Sequence, residues 1–341
     1  MNFLFFGLGS IGQRHLRNLL QLKNNCKIYA LRKKFSTPLL NYQNKKIRGN
    51  VEKKYKIISI KTLEYLKKKD VKIDAAFICN PSSLHASTAK WCIKRNIPVF
   101  IEKPAATNIK DLNLIKKLVK SKKKVINVVG YQLRFNPIIR FIKKYCFDQK
   151  KLGQVYNCEI FHGEHVDNFH SYESYKDSYT SQKKLGGGVA LTQIHEIDYL
   201  NYFFSEYELL EFKYISDKIS KLKMNVEDNY TSIFKFRSTK NKKISLGKIT
   251  CSYVQVPKKR TIFISCEQGS LHADLNESLI KILRPKKRDY VKKFNFNRND
   301  MFTNEIKQFL NLIKNPKLKK RLLPSILEDN KVNKIAIKIK I

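Results

Sequence analysis

Three glycines near the N-terminus have the spacing of a phosphate-binding turn. Residues 7–12 read Gly-Leu-Gly-Ser-Ile-Gly and directly follow the short apolar segment 2–6. In such a turn the first glycine permits a tight bend, the second lets backbone approach a pyrophosphate, and the third allows close packing of helix on strand. We therefore expect a dinucleotide site, with a glycine turn that only packs as the alternative. Its candidate ligands are Gly7, Gly9, Ser10, Ile11 and Gly12.

Basic residues stand where a dinucleotide-binding domain usually meets the adenosine ribose. The second predicted strand ends near Leu31, and an Asp or Glu at this place would bind the ribose hydroxyls of NAD. Here the sequence continues with Arg32 and Lys33. Cationic side chains suit a 2′-phosphate, so these residues favour NADP over NAD. NAD stays the alternative, because a chain this rich in lysine produces basic triplets by chance.

The segment 162–170 concentrates possible metal ligands, including His162, Glu164 and His165. Imidazole and carboxylate groups at this density are typical of zinc sites. The alternation of residues 155–163 predicts a strand, however, and its continuation would place His162 and His165 on opposite faces. We therefore expect no metal and interpret the segment as part of a substrate loop.

The elements that position these residues are predicted from apolar runs. Segments 73–79 and 98–101 are short, apolar and followed by polar residues, and helices are predicted between them. This alternation indicates a doubly wound parallel sheet, whose ligands bind at the carboxyl ends of the strands. Polar residues at those ends are therefore candidate cofactor ligands. They are Asn80, Pro81, His85, Glu102 and Lys103.

The second half of the chain changes from buried runs to alternation. Segments 230–237 and 248–256 alternate apolar with polar residues, as antiparallel strands with one buried face do. We predict a dinucleotide-binding domain at residues 1–129 and a substrate-binding and oligomerisation domain at 130–341. The second face of the antiparallel sheet is available for subunit contact, which favours a homodimer or homotetramer.

The net charge of the chain is strongly positive. Among 341 residues, 69 Lys and Arg stand against 28 Asp and Glu, a formal charge of +41 at pH 7. Such an excess raises nucleic acid as a partner. Short lysine runs recur from end to end, however, instead of forming one patch. We therefore expect a solvated lysine-rich surface and no nucleic-acid partner, against the alternative of tight, strongly salt-dependent duplex binding.

Composition also bears on location. The apolar run 2–6 is too short for a signal peptide, and no segment approaches the roughly 18 apolar residues that span a bilayer. Seven cysteines form no C-x-x-C pair, and an odd number fits reduced thiols better than disulfides. We therefore expect a cytoplasmic protein without membrane contact.

Four motifs together resemble the glucose–fructose oxidoreductase, inositol dehydrogenase and MocA (Gfo/Idh/MocA) family. They are Gly-x-Gly-x-x-Gly-x-x-His at 7–15, Asn-Pro-x-x-Leu-His at 80–85, Glu-Lys-Pro at 102–104, and Gly-Gly-Gly at 186–188 with His195 and Asp198 downstream. The resemblance runs from residue 1 to at least 204. It implies an α/β protein with an N-terminal Rossmann domain and a C-terminal α/β domain built on an open, mostly antiparallel sheet. It also implies oxidoreduction of a sugar or cyclitol by a pyridine nucleotide.

The resemblance assigns Lys103 and His195 as the catalytic pair. Hydride transfer is the cofactor's chemistry, so the protein must position the carbon and move one proton. His195, with an ordinary pKa of about 6.5, would exchange the hydroxyl proton, and Lys103 would hydrogen-bond the same oxygen. The family often carries an Asp four residues before this histidine. That position is Leu191 here, so the usual third member of the set is missing.

Substrate-binding residues are expected near the domain junction. Arg134 and Asn136 follow the last predicted strand of the first domain, and the planar fork of an arginine suits a carboxylate or phosphate. A purely structural crossover is the alternative. Tyr179 belongs to an aromatic, polar segment with the composition of a sugar-binding lid or a plain surface loop. Thr192 and His195 complete the predicted substrate-binding set.

Two further segments resemble a subgroup associated with bacterial surface-sugar biosynthesis. They are Tyr-Lys-Asp-Ser-Tyr at 175–179 and His-Glu-Ile-Asp-Tyr-Leu at 195–200. The sequence thus predicts an NADP- or NAD-dependent dehydrogenase or reductase acting on a sugar, cyclitol or sugar nucleotide. Because no Asp stands at Leu191, a dinucleotide-binding sensor or scaffold with reduced catalysis is the alternative.

Overall fold

The computed structural model describes residues 1–32, 37–169, 172–318 and 321–340. Within these ranges, six strands form a parallel sheet and eight strands form a second, mostly antiparallel sheet. The predicted α/β class, with a Rossmann sheet first and an open sheet second, is confirmed. Lys33, one of the predicted phosphate-binding residues, lies outside the described residues.

The parallel sheet is built from short, mostly apolar strands. They are β1 (Asn2–Phe6), β2 (Lys27–Leu31), β3 (Ile57–Ile60), β4 (Ala75–Ile78), β5 (Val99–Glu102) and β6 (Asn127–Gly130). Their order in space is β3-β2-β1-β4-β5-β6. Strand order therefore reverses between β1 and β4, and a crevice for ligands opens at the carboxyl ends of these two strands.

Helices flank both sheets and close the chain. They are α1 (Ser10–Leu22), α2 (Val51–Tyr55), α3 (Glu64–Lys68), α4 (His85–Lys94), α5 (Ile109–Ser121), α6 (Pro137–Ile142), α7 (Val189–Thr192), α8 (His195–Phe203), α9 (Arg298–Lys314) and α10 (Ile326–Ile339). Several start at a side-chain cap, which fixes where the helix begins. Ser325 and Glu328, for example, form a reciprocal capping box at the start of α10. None of the described helices combines the length and apolar character needed to cross a bilayer.

The second sheet follows the alternation predicted for it. Its strands are β7 (Val155–Gly163), β8 (Tyr207–Asp217), β9 (Asn229–Ser238), β10 (Ile244–Ser252), β11 (Lys259–Cys266), β12 (Gly269–Asp274), β13 (Leu279–Leu283) and β14 (Tyr290–Lys293). They lie in the order β14-β13-β12-β11-β7-β10-β9-β8, with β7 and β10 parallel. One face packs on the helices, where Phe204 stacks on Phe236 at 4.2 Å. The other face exposes apolar residues such as Ile233 and Leu246.

The end of the chain returns to the first domain. Phe309 on α9 lies 5.6 Å from Phe77 on β4 and 5.7 Å from Phe100 on β5, ring centre to ring centre. At the start of α10, the backbone N–H of Ile326 donates to the side chain of Asn127. The predicted domain boundary at 129/130 falls one residue before the end of β6 and stays a prediction. The apolar core on one side of the first sheet also includes part of α9.

Candidate active site

The glycine-rich turn after β1 is tight where strand and helix meet. Gly7 has a φ of +93°, and a Cβ there would lie within 2.9 Å of the backbone of Cys79 and Asn80. At Gly12 a Cβ would collide with the carbonyl oxygen of Gly7. Gly9, by contrast, has no heavy atom within 4 Å of the place a Cβ would take. The turn is therefore closed at its base and open where a phosphate would approach.

The N-terminus of α1 is suited to an anion. This helix, which the structure describes throughout, has no side-chain cap and no acidic residue in its first turn. The N–H groups of Ser10 and Ile11 belong to that first turn and have no acceptor within the helix. They lie at the positive end of the helix dipole. A pyrophosphate would supply both acceptor and charge, so these residues fit a dinucleotide.

His85 ties the loop after β4 to the loop after β5. Its Nδ1 lies 2.7 Å from the carbonyl oxygen of Pro104, and its Nε2 lies 2.8 Å from that of Asn80. Burial lowers the pKa of His85, although both hydrogen bonds act to raise it. Pro81 opens the short turn between Asn80 and His85. The buried ring of His85 thus links the two loops.

Asn80 offers one free acceptor towards a ligand. Its amide nitrogen donates to the hydroxyl of Thr88 at 3.0 Å. Its Oδ1 is buried and has no hydrogen-bond partner among the described residues. An unpaired buried acceptor is costly, so a hydroxyl or amide of a bound cofactor would fit here.

Lys103 reaches from the end of β5 to the second domain. Its Nζ donates to the backbone carbonyl of Thr192 on α7 at 2.7 Å. Burial lowers the pKa of Lys103 and Arg260 lowers it further, whereas the carboxylates of Glu102 and Glu196 raise it. The ammonium group therefore contacts Thr192, which stands three residues before His195 in sequence.

His195 is the first residue of α8 and is buried. Burial lowers its pKa well below the ordinary value, and the positive charge of Lys103 lowers it further. The ring is therefore neutral at pH 7 and able to accept a proton. Its Nε2 lies 3.1 Å from the side-chain nitrogen of Gln132, and its Nδ1 has no partner among the described residues.

A buried charged cluster lies beside the catalytic pair. Arg260 on β11 donates to Oε1 of Glu196 from Nε at 2.8 Å, and its Nη2 lies 3.1 Å from Nδ1 of His162 on β7. Arg260 and His162 are partners in the register of β7 and β11. Burial alone would raise the pKa of Glu196, but Arg260 and His162 lower it below its usual range. Glu196 is thus a carboxylate next to His195.

Arg134 has partners other than the predicted anionic substrate. Its Nε and Nη2 donate to the carboxylate of Asp198 at 2.7–3.1 Å, and its Nη1 donates to the carbonyl of Leu322 at 2.8 Å. Every guanidinium nitrogen is therefore used within the protein. These contacts fix the turn of Arg134 onto α8, one helical turn from His195, and its substrate-binding role stays a prediction.

Asn136 caps a helix. Its side-chain oxygen accepts from the backbone N–H of Ile138 at 2.8 Å at the start of α6. Pro137 follows as the first helical residue, a favourable position for proline. The buried Asn136 thus has a structural function at the crossover, and its substrate-binding role stays a prediction.

The predicted lid lies between the two glycine motifs. Burial raises the pKa of the Tyr172 hydroxyl, against hydrogen bonds with Ser10 that lower it. Tyr179 is half-buried, and burial raises its pKa also. A Cβ at Gly187 would lie 2.5 Å from the carbonyl oxygen of Thr180, so the triple glycine allows this segment to pack closely.

Arg32 is enclosed by an ion pair at the end of β2. Its Nη1 lies 2.5 Å from Oε1 of Glu52, and the hydroxyl of Ser59 donates to the same oxygen at 2.6 Å. The side chain of Arg32 is 2% exposed and that of Glu52 is 28% exposed. The predicted ligand of a 2′-phosphate therefore has a carboxylate partner already.

Three ionisable side chains meet below the cofactor turn. Nε2 of His15 on α1 lies 2.5 Å from Oε1 of Glu102 and 3.9 Å from Oε1 of Glu305 on α9. Among the described residues, this is the group whose ligand atoms are close enough to hold a metal. Two ligands of a tetrahedral zinc ion lie about 3.3 Å apart, however. The short distance between His15 and Glu102 is that of a hydrogen bond.

The segment predicted to concentrate metal ligands divides into separate contacts. His162 faces Arg260 and Glu196 in the buried cluster. His165 lies 3.5 Å from Asp167, near the surface. His170 lies outside the described residues.

Several residues of the site escaped sequence analysis. Glu196 and Gln132 stand next to predicted residues, and nothing in their own type or spacing singled them out. Arg260 belongs to a strand whose alternation is regular, so its inward direction could have been inferred but not its contact with Glu196. Glu305 lies more than 200 residues from Glu102 in sequence, and only the fold brings the two together.

Two family models match the chain. The model of the GFO_IDH_MocA oxidoreductase family, described as an NAD-binding Rossmann fold, matches residues 1–131. The model of the GFO/IDH/MocA C-terminal domain matches residues 144–272. Together they cover about three quarters of the chain.

Solved structures with the same fold include several sugar-active enzymes. UDP-N-acetylglucosamine 3-dehydrogenase GnnA from Acidithiobacillus ferrooxidans superposes with a TM-score of 0.74 at 15% identity, covering 99% of this chain and 96% of that one. Levoglucosan dehydrogenase in complex with NADH and levoglucosan gives 0.76 at 15% identity, with the same coverage. GenD2 from gentamicin A biosynthesis, in complex with NAD, gives 0.76 at 13% identity and covers 100% of this chain and 95% of that one. At these identities the likeness concerns the fold.

Proposed function

The chain belongs to the Gfo/Idh/MocA oxidoreductase family, and from this premise we propose that it is a dehydrogenase or reductase of a sugar, cyclitol or sugar nucleotide. The reaction transfers a hydride between nicotinamide and a carbinol or ketone carbon. The observation that carries the proposal is the bridge from Lys103 to Thr192, which places the lysine of the first domain beside the helix that starts with His195.

The protonation states of this pair suit the proton step. Because His195 is neutral at pH 7, it can take the hydroxyl proton during oxidation and return it during reduction. Lys103 donates a hydrogen bond from Nζ, and an ammonium there stabilises negative charge that develops on the substrate oxygen. Its lowered pKa keeps the cost of losing a proton small.

A nicotinamide dinucleotide supplies the hydride acceptor or donor when bound. The residues proposed to hold it are those of the open turn and the strand ends: Gly7, Gly9, Ser10, Ile11, Gly12, Asn80, Pro81, His85, Glu102 and Lys103. The preference for NADP rests on Arg32 and Lys33 and stays a prediction. The partner of Arg32, Glu52, would have to share or release the guanidinium before it could bind a 2′-phosphate.

The substrate class is proposed from the lid and from the neighbours in fold. A polar, aromatic segment that includes Tyr179 precedes the triple glycine and packs against Gly187, and the proposed substrate ligand Thr192 accepts from Lys103. Structural neighbours are named as dehydrogenases of a nucleotide sugar and of an anhydrosugar. A role in bacterial surface-sugar biosynthesis remains the more specific prediction. The family's oxidoreductase chemistry supports an enzyme and gives no support to the sensor alternative.

The proposal includes a cytoplasmic homo-oligomer. The outer face of the second sheet exposes apolar side chains, among them Ile215, Ile233 and Leu246. Exposed apolar residues clustered on one sheet face favour contact with a second copy of the chain. Light scattering of the purified protein would test a homodimer or homotetramer.

A cofactor and substrate screen tests the proposed reaction. Thermal shift with NAD, NADH, NADP and NADPH identifies the dinucleotide, and nicotinamide absorbance then reports turnover of a panel of sugars, cyclitols and nucleotide sugars. Lys103→Met and His195→Asn should each lower kcat by about 10²-fold or more while cofactor still binds. Lys235→Met and His272→Asn, at exposed sites on the second sheet, serve as matched controls. Wild-type-like turnover in both active-site variants would overturn the proposal.

A further inference from the structure

Gln132 contacts the imidazole of His195 directly. Its side-chain Nε2 lies 3.1 Å from Nε2 of His195. Since an amide nitrogen only donates, the ring nitrogen must be the acceptor in this hydrogen bond. Nε2 of His195 therefore keeps its lone pair, and the proton of the neutral ring lies on Nδ1.

The turn that carries Gln132 is fixed on both sides. The hydroxyl of Tyr131 donates to Asp329 on α10 at 2.7 Å, and the Tyr131 ring meets the His195 ring edge-on at 5.8 Å. On the other side, Arg134 is held by its two-pronged contact with Asp198 on α8. Amide and imidazole are therefore anchored to the same helix, and their contact does not depend on a mobile loop.

Helix α7 contains no carboxylate that could contact the His195 ring. Leu191 is fully buried in the apolar core. The charged and titratable groups near His195 are Lys103 after β5, Glu196 on its own helix, Arg260 on β11 and His162 on β7. Among the described residues, the hydrogen bond to the ring comes from Gln132, and Nδ1 has no partner and is buried from solvent.

We propose that Gln132 is a positioning residue that keeps Nε2 of His195 unprotonated and ready to accept the substrate proton. This inference rests on the proposed function and deepens it. During oxidation the substrate hydroxyl replaces the amide as the donor to Nε2. The tautomer with its proton on Nδ1 is therefore the same in the free protein and in the substrate complex. The O–H bond then breaks and its proton goes to Nε2. The hydride leaves carbon with its electron pair for the nicotinamide, which is reduced as the alcohol is oxidised to a ketone.

Nitrogen NMR of histidine-labelled protein tests the tautomer without any substrate. His195→Asn identifies the His195 signals. In the wild type at neutral pH we expect Nδ1 protonated and Nε2 unprotonated, whereas in Gln132→Leu the proton should move to Nε2 in a substantial fraction of molecules. Gln132→Glu offers only acceptors to the ring, so it should protonate Nε2 and raise the pKa of His195. An unchanged tautomer in both variants, or Nε2 protonated in the wild type, overturns the inference.

Kinetics separate this inference from the proposed function. Gln132→Leu should lower kcat/KM for the sugar by about tenfold or more, because free enzyme in the wrong tautomer cannot accept a hydrogen bond from the substrate hydroxyl, while KM for the dinucleotide stays within about twofold. Gln154→Leu is the matched control, a buried glutamine that instead donates to the carbonyl of Ile244. If wild-type enzyme turns over a sugar and Gln132→Leu equals it, Gln132 has no such role. If no sugar is turned over, the proposed reaction fails while the NMR result still decides the tautomer.

Discussion

His15 and Glu102 join α1, the helix after the glycine turn, to the loop that carries Lys103, the proposed catalytic lysine. Nε2 of His15 lies 2.5 Å from Oε1 of Glu102, and both side chains are almost fully buried. Glu102 precedes Lys103 directly, so the position of the lysine is linked through one hydrogen bond to the helix that begins at Ser10. Cofactor site and proton chemistry therefore share a structural support.

Removing His15 should destabilise the protein strongly. His15→Leu fills similar space but leaves the buried Glu102 without its partner, at an expected cost of about 3–5 kcal/mol in the free energy of unfolding. Urea denaturation measures it. Arg237→Ala is the control: it breaks an exposed, solvent-screened ion pair with Glu208 and should change the free energy of unfolding much less. Equal effects of the two substitutions would contradict the importance assigned to the buried pair.

Glu305 should make stability depend on pH. Burial and the neighbouring Glu102 raise its pKa well above the ordinary value of 4.5, and neither carboxyl oxygen has a hydrogen-bond partner among the described residues. Between pH 4.5 and the raised pKa, the folded state binds more protons than the unfolded state. The stability that protonated Glu305 contributes is thus fully present below pH 4.5. It is lost as pH rises through the pKa of the folded state, by up to about 1.4 kcal/mol per pH unit.

Glu305→Gln provides the test of this pH dependence. A neutral amide of the same shape should remove the part of the slope that Glu305 contributes, so the variant should gain stability over the wild type as pH rises. Urea denaturation at a series of pH values would measure the difference. Glu277→Gln, at the surface, should leave the slope unchanged. A wild-type slope in Glu305→Gln would show that Glu305 titrates normally in the folded protein.

Glu52 should influence the choice between NAD and NADP. It holds Arg32 in an ion pair, so Glu52→Ala releases the guanidinium. If Arg32 faces the 2′-phosphate as predicted, the ratio of NADP to NAD affinity should rise about tenfold, the effect of one charge-assisted hydrogen bond. Calorimetric titration of both cofactors measures it. An unchanged ratio in Glu52→Ala would remove Arg32 from the phosphate site.

The fold could be predicted further than the site because its signals are local. The glycine turn, the buried strands and the alternating strands each show in a few consecutive residues. The return of α9 to the first domain could not be predicted in this way, since an amphipathic helix does not indicate which surface it covers. Glu305 reaches His15 only through that packing.

The same difference between local sequence signals and long-range packing applies to the site residues. Lys103 and His195 stand in motifs, and their placement beside α7 and α8 agrees with the prediction without testing their roles. Arg134 and Asn136 have types that suit substrate, but Asp198 and a helix start already use part of their hydrogen-bonding capacity. Sequence gives the chemical type of a side chain, whereas the partners that use up its hydrogen bonds come from other elements.

Gly9 should separate cofactor binding from folding. Its backbone is extended, with φ −67° and ψ −166°, which any residue can adopt, and no atom lies within 4 Å of a Cβ placed there. The free energy of unfolding of Gly9→Val should therefore stay within about 1 kcal/mol of the wild-type value. Its dinucleotide affinity should nevertheless fall by about tenfold or more. The reason is that the added side chain would fill the space through which a phosphate approaches the N–H groups of α1.

Gly12 is the matched position with the opposite expectation. A Cβ there collides with the carbonyl oxygen of Gly7, so Gly12→Val must move helix against strand and should cost about 1–3 kcal/mol or more of stability. Thermal unfolding and calorimetric titration of both variants distinguish the two glycines. Wild-type affinity in Gly9→Val would mean that the dinucleotide does not pass over this turn, because a branched side chain and a pyrophosphate cannot share that space.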